Sequence, residues 1–127
     1  MEIKGIIQRL GIFQKHLGYR YLCYGLKLAL GNEDYLLLLT KALYPDIALR
    51  FHTTANCVEH NIRNAIQTAW RKKQTKDRLE EMAGYKLVKC PSNGEVFCIL
   101  VSYCQRLGIE SKKEDWEENN DEKMGNY

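Results

Sequence analysis

The stretch from Leu43 to Lys73 constrains the fold more than any other part of the chain. Two runs of helical periodicity meet there across a short polar break. In the first run Ile47, Ala48 and Phe51 share a face, and Pro45 stands at a first-turn position, where a missing N–H costs nothing. The break is His52-Thr53-Thr54. In the second run Val58, Ile62, Ala65, Ile66, Ala69 and Trp70 recur at spacings of three and four, which makes one apolar stripe. Two N-caps compete for its start: Asn56, with Glu59 three residues on, and Thr54. A short helix, a tight turn and a long amphipathic helix suggest a helix-turn-helix, and the small Ala48 suits a close crossing of the pair.

Glu59, His60, Arg63, Asn64, Gln67 and Arg71 fall off the stripe. Glu59 and Arg63 are four apart, as are His60 and Asn64, so both pairs share one exposed face. Arg can bond guanine bidentately, Asn and Gln can bond adenine, and Glu can accept from cytosine. The spacing alone fits an ordinary solvated helix face equally well. Charge adds an independent observation. Residues 110–127 carry three Lys against seven acids, a balance of −4, and residues 1–109 carry 16 basic and nine acidic residues, a balance of +7. A basic body beside an acidic tail is consistent with binding a polyanion. Between Arg50 and Arg78 seven basic residues stand against Glu59 and Asp77, so the excess sits on and just after the long helix.

Other function classes find little support. At 127 residues and 45% hydrophobic content the chain suits one globular domain with one core. Cys23, Cys57, Cys90, Cys98 and Cys104 are odd in number and never in CxxC spacing, against a disulfide framework or zinc knuckle. His52, Cys57 and His60 match no zinc pattern, so no metal or cofactor is expected. There is no glycine-rich phosphate loop and no Ser/His/Asp or Cys/His constellation, so the chain does not read as an enzyme. The most apolar run, Tyr35 to Leu39, is far too short to span a bilayer, and no signal peptide follows Met1. A cytoplasmic protein with no membrane partner is expected.

Taken in order, Ile3, Ile6, Ile7 and Leu10 predict a first helix ended by Gly11, and Gly18 to Leu30 a second ended near Gly31. Asn32 is a good N-cap for a third helix over Glu33 to Leu43, whose run Leu36–Leu39 would sit mid-core. After the helix-turn-helix, Gln74-Thr75-Lys76-Asp77 reads as a turn, Arg78 to Ala83 as a short helix stopped by Gly84, and Tyr85 to Cys90 as an extended loop or one short strand. Ser92-Asn-Gly-Glu95 is a capping box opening a last helix, Asn93 to Leu107. The expected fold is all-α, a compact domain of about six helices containing a helix-turn-helix over 1–109, with a disordered acidic tail over 110–127.

Several linked motifs then resemble one family. They are Gly18-Tyr-Arg-Tyr-Leu22, Thr40-Lys-Ala-Leu-Tyr-Pro-Asp-Ile-Ala48, Thr53-Thr-Ala55, Val58-Glu59, Ile62-Arg63, Ala69-Trp70, Gly84-Tyr85 and Pro91-Ser-Asn-Gly-Glu-Val-Phe97. In order and spacing they resemble the C-terminal effector domain of the stage-zero sporulation response regulator of endospore-forming bacteria, over roughly Gly18 to Leu107 and more weakly from Ile3. The resemblance implies a sequence-specific, double-stranded DNA-binding transcription regulator. It also implies a short box of the TGTCGAA type and self-association of copies on adjacent boxes. The family's usual receiver domain is not expected in this chain. Its recognition helix runs Ser-Arg-Val-Glu-Arg-x-Ile-Arg-His, and the base-facing Glu and two Args fall here on Glu59, His60 and Arg63. His60 replaces an Arg, Cys57 another basic residue, and Asn64 a His. A neutral His offers one donor and one acceptor where Arg offers a five-donor fork, and losing one bidentate guanine contact costs about 1–3 kcal/mol of discrimination.

The expected recognition helix therefore spans about 55–73 in the major groove, with Glu59, His60, Arg63 and Asn64 nearest bases. Thr53, Thr54, Arg71, Lys72 and Lys73 are the expected phosphate contacts. The alternative from another class is a protein-interaction module that has lost base reading and modulates a full-length homologous regulator. Cys57 and His60 in place of basic residues point that way.

Overall fold

The computed structural model describes residues 2–109, and the acidic segment 110–127, with its expected disorder, lies outside them. The periodicities become α1 (Ile3–Arg9), α2 (Leu17–Gly31), α3 (Tyr44–Phe51), α4 (Ala55–Trp70), α5 (Lys73–Ala83) and α6 (Asn93–Arg106), with no strand among the described residues. α2 runs through the middle and packs against α1, α3, α4 and α6. Its Leu22 and Leu26 are fully buried with Leu43, Ile47, Ile62, Phe97 and Leu100. Every later helix contributes a side to this one core.

Two glycines let α2 sit so centrally. A Cβ on Gly18 would lie 2.4 Å from the Asn61 carbonyl oxygen and 2.7 Å from the Ala65 Cβ, both on α4. A Cβ on Gly25 would lie 2.9 Å from Ile47 Cδ1 and from Phe97 Cε1. The α2–α4 approach is thus backbone against backbone, which no larger residue permits. On the α3 side, Phe51 takes Tyr21 and Tyr24 edge-on at centroid distances of 5.3 and 5.8 Å.

The expected third α-helix over Glu33 to Leu43 does not form. Asn32 does cap, its side chain accepting from the Asp34 N–H at 3.0 Å, but the chain tightens into a 3₁₀ turn over Glu33–Leu37. It breaks at Leu38 (φ −130°, ψ 51°), then widens into a π turn over Leu39–Leu43, where the Leu43 N–H reaches the Leu38 carbonyl at 3.0 Å. Pro45 gives the reason for the widening. It cannot donate to the carbonyl four residues back, and its ring crowds that carbonyl. Nor is the leucine run mid-core. Leu37 is 83% exposed and Leu38 44%, while Leu36 and Leu39 are half-buried. Four consecutive leucines point all round a helical turn, and only one side of this segment meets the core.

Two further expectations fail around Lys73. α4 stops at Trp70, because Lys72 is extended (φ −92°, ψ 130°), so the long helix covers 55–70 rather than reaching 73. Gln74-Thr75-Lys76-Asp77 is helical, inside α5. Long-range bonds decide this start: the buried Thr75 hydroxyl donates to the Leu10 carbonyl at 2.8 Å, and the Arg78 guanidinium donates to the Arg9 carbonyl. α5 ends as expected at Gly84, left-handed at φ 82°. Tyr85–Cys90 is a loop, with Leu87 buried and its N–H donating to the Glu80 carboxylate at 2.7 Å. The Ser92 cap forms, its hydroxyl accepting from the Glu95 N–H at 3.2 Å.

Gly18→Ala places a methyl group on the α4 backbone, so we expect a loss of about 1–3 kcal/mol in urea unfolding, the usual cost of overpacking. An unchanged midpoint would mean that the two helices separate freely.

Candidate nucleic-acid interface

α4 is fixed from behind before its outer face is considered. Val58, Ile62, Ala65, Ile66 and Ala69 bury its inner stripe against α2 and α3. The turn into it is short. His52 is left-handed (φ 56°, ψ 47°), and the Thr53 N–H returns to the Ala48 carbonyl at 3.0 Å. Thr54 wins the contest for N-cap, its Oγ1 accepting from the Cys57 N–H at 3.1 Å. The hydroxyl proton of Thr54 is not used in that bond and stays available to an acceptor outside.

A third tether comes from Asn93, which the sequence reading placed only as a residue of the last capping box. Its buried amide donates to the Tyr44 hydroxyl at 3.1 Å and to the Glu59 carbonyl at 3.2 Å. One side chain at the start of α6 thereby ties α3 to α4. Burial pushes the Tyr44 phenol above its ordinary pKa, so it stays a neutral partner.

The structure brings the four base-facing candidates into one network. Arg63 Nη1 donates to Glu59 Oε2 at 2.8 Å, and Arg63 Nη2 donates to His60 Nδ1 at 3.0 Å. Asn64 Nδ2 lies 3.0 Å from His60 Nε2. Arg is always a donor, so Nδ1 must accept and the neutral ring carries its proton on Nε2. That proton requires the Asn64 amide oxygen opposite it, which a half-turn of the amide supplies. His60, Arg63, Asn64 and Gln67 are exposed and Glu59 is half-exposed. An exposed i,i+4 ion pair contributes only about 0.3–0.5 kcal/mol, so a guanine or cytosine edge worth about 1–3 kcal/mol can displace it.

The phosphate candidates form two separate groups. Thr53 (half-buried) and Thr54 (exposed) lie at the start of α4, and exposed Arg71, Lys72 and Lys73 lie past its end. These cations do not extend α4. They occupy the corner where α5 begins, and the first turn of α5 holds no acid. An open groove of about 870 Å³ runs beside α4, between Glu59, Arg63 and Gln67 on one wall and Lys89 to Glu95 on the other. Lys89 to Ser92 of that second wall lie in the loop before α6 and Asn93 to Glu95 in its first turn; periodicity located the helix but not its place beside α4.

Two cysteines touch this region, Cys90 in the groove wall and Cys57 at the edge of the α4 face. Cys57 is half-buried, and Asn61 Nδ2 donates to its carbonyl at 2.8 Å and its Sγ at 3.3 Å. Burial pushes Cys23 up to about 12 and Cys104 up to about 11, which leaves both as inert thiols. Among the described residues no group of three or more His, Cys, Asp or Glu side chains is placed to hold a metal ion. No helix among them is long and apolar enough to cross a membrane.

A small all-helical domain whose two tightly turned helices hold a polar face outward, with cations past its end, has the make-up of a helix-turn-helix domain. Comparison with known families agrees: residues 3–104 match the sporulation initiation factor Spo0A C-terminal family. The match covers most of the chain, and the chain belongs to that family. It is accordingly a DNA-binding domain of a transcription regulator.

Because Thr54 caps α4, Thr54→Ala should lower stability by about 1 kcal/mol, and Thr54→Asp, also a good cap, should restore it. Equal urea midpoints for the wild type and Thr54→Ala would show that the cap contributes nothing.

Proposed function

We propose that this chain reads double-stranded DNA by laying α4 in the major groove, with Glu59, His60, Arg63 and Asn64 toward base edges. The single observation that carries this is the hydrogen-bonded cluster of those four side chains on the outer face of a helix tied from behind. A rigid helix with a ready set of donors and acceptors loses little freedom on docking. His60 gives the face a different character from the Arg that the family resemblance implies. It orients Arg63 through Nδ1 rather than presenting a second guanidinium. The preferred box is then related to the TGTCGAA type but less strictly held at one guanine.

The two phosphate groups suit opposite lips of the groove. α4 has 16 residues, and a helix of that length extends about 24 Å, against a groove width of about 12 Å. Thr53 and Thr54 at one end and Arg71, Lys72 and Lys73 at the other therefore meet different stretches of backbone. The second group has a further advantage. Lys72 and Lys73 stand at the start of α5, where free N–H groups also favour an anion. Copies binding adjacent boxes would place such domains side by side. The work is that of a cytoplasmic transcription regulator.

Fluorescence anisotropy with one duplex carrying the box and one scrambled, at two salt concentrations, tests this. Tight binding to the box alone supports direct readout; equal, steeply salt-dependent binding to both means this box is not the target. No binding to either returns the chain to the interaction-module reading. Given binding, Arg63→Ala should reduce the preference for the box by about 5- to 150-fold, the equivalent of about 1–3 kcal/mol. Lys72→Ala should weaken both duplexes alike and lower the salt slope by about one. Thr54→Asp, which keeps the cap, should still lose affinity, since a carboxylate repels a phosphate.

A further inference from the structure

We infer that the loop between α5 and α6 is a second DNA-contacting element, in which Lys89 pairs with a backbone phosphate on the lip of the groove that α4 enters. The inference rests on the docking of α4 proposed above. It concerns a segment that neither the helical periodicity nor the helix-turn-helix pattern includes.

The loop is held at both ends. At its start Leu87 is buried, and its N–H donates to the Glu80 carboxylate at 2.7 Å. At its end Pro91 is buried, and Asn93 donates to the Glu59 carbonyl at 3.2 Å. The second anchor is on α4 itself, at a residue of the base-facing set. Between the anchors the chain turns outward: Val88 is 97% exposed and Lys89 is exposed. Lys89 lines the groove whose opposite wall is Glu59, Arg63 and Gln67.

The position of the tether dictates what this loop meets. An α-helix with its side chains is about 10–12 Å across, and the major groove is about 12 Å wide. A docked α4 therefore fills the groove. An element hydrogen-bonded to its flank cannot enter with it and must lie along the lip, where the phosphates are. The local charges agree. Glu59 is engaged by Arg63 at 2.8 Å, and the Glu95 carboxylate accepts from the Tyr85 hydroxyl at 3.3 Å. Lys86 faces Glu80 at 3.9 Å, whereas Lys89 has no ion pair among the described residues. Lys89 is thus the loop's cation left for an outside anion, and the rigid anchors spare it most of the ordering cost of binding one.

The test uses the full chain, the box and scrambled duplexes, and a salt series read by anisotropy. Lys89→Ala should weaken binding to both duplexes by the same factor, roughly three- to tenfold, and lower the salt slope by about one. Lys86→Ala should bind as the wild type does. Asn93→Asp keeps the size of the side chain and puts an acid in the first turn of α6, but it cannot donate to Glu59. In that background Lys89→Ala should have a smaller effect, because the loop is no longer tied to α4. If the wild type binds DNA and Lys89→Ala matches it in affinity and slope, the loop is not a contact and the inference fails alone. If Lys89→Ala weakens only the box duplex, Lys89 is reading bases and the phosphate assignment is overturned. A wild type that binds neither duplex overturns the docking reading and this inference together.

Discussion

The crossing of α2 over the back of α4 is the constraint on which the rest depends. Gly18 brings the α2 backbone against the Asn61 carbonyl and the Ala65 methyl group. At that separation the helices have no room to rock, and α4 cannot rotate without driving its backbone into α2. Rotation matters more for this helix than for any other. A turn of one residue, about 100° on a 3.6-residue helix, would carry Arg63 off the outer face. Gly25 repeats the device two turns on, against α3 and α6. The central helix of the core is therefore also what sets the aim of the outer face.

That arrangement separates the residues that hold α4 from the candidate base-facing residues. Gly18, Val58, Ile62, Ala65 and Asn93 fix α4 through buried contacts. Glu59, His60, Arg63 and Asn64 bond mainly to one another and to solvent. Surface substitutions away from such buried features usually change stability by less than about 0.5 kcal/mol. The replacements at positions 57, 60 and 64 relative to the family pattern can thus alter preference while the helix-turn-helix stays intact. This weakens the argument that those replacements mark a lost DNA-binding function.

What could be read from the sequence follows the range of the forces involved. α1, α2, α4 and α6 were legible because each buries a continuous 3.6-residue stripe, and the Ser92 cap because it is local, while the cap of α4 stayed a contest between Asn56 and Thr54 until the fold decided it. The family motifs were legible for the same reason, as short strings in order. The segment after Asn32 misled because four leucines promise burial whatever the backbone does, while Pro45, six residues beyond them, widens the turn that the last of them opens. The start of α5 misled because it is set by Thr75 bonding to Leu10, a partner 65 residues away. The candidate base-facing set came from helical spacing together with the family resemblance, since spacing alone fits a solvated face equally well. Its internal bonding, and the Asn93 tether behind it, needed the fold.

The displaced end of α4 changes the electrostatics of docking. Had the helix continued to Lys73, Arg71, Lys72 and Lys73 would have wound around its last turn, with at least one of them facing away from the duplex. With Lys72 extended, the corner instead joins two helix ends of opposite dipole. The C-terminal end of α4 carries partial negative charge, which the cations offset, and the N-terminal end of α5 carries partial positive charge, which a phosphate would offset. In the free protein the second effect is unfavourable, since like charges meet at the start of α5 with no acid in its first turn. A bound phosphate removes that repulsion. On the docking proposed above, the corner would be more stable on DNA than off it, and part of the affinity would come from relief of a charge conflict that the bend in the chain creates.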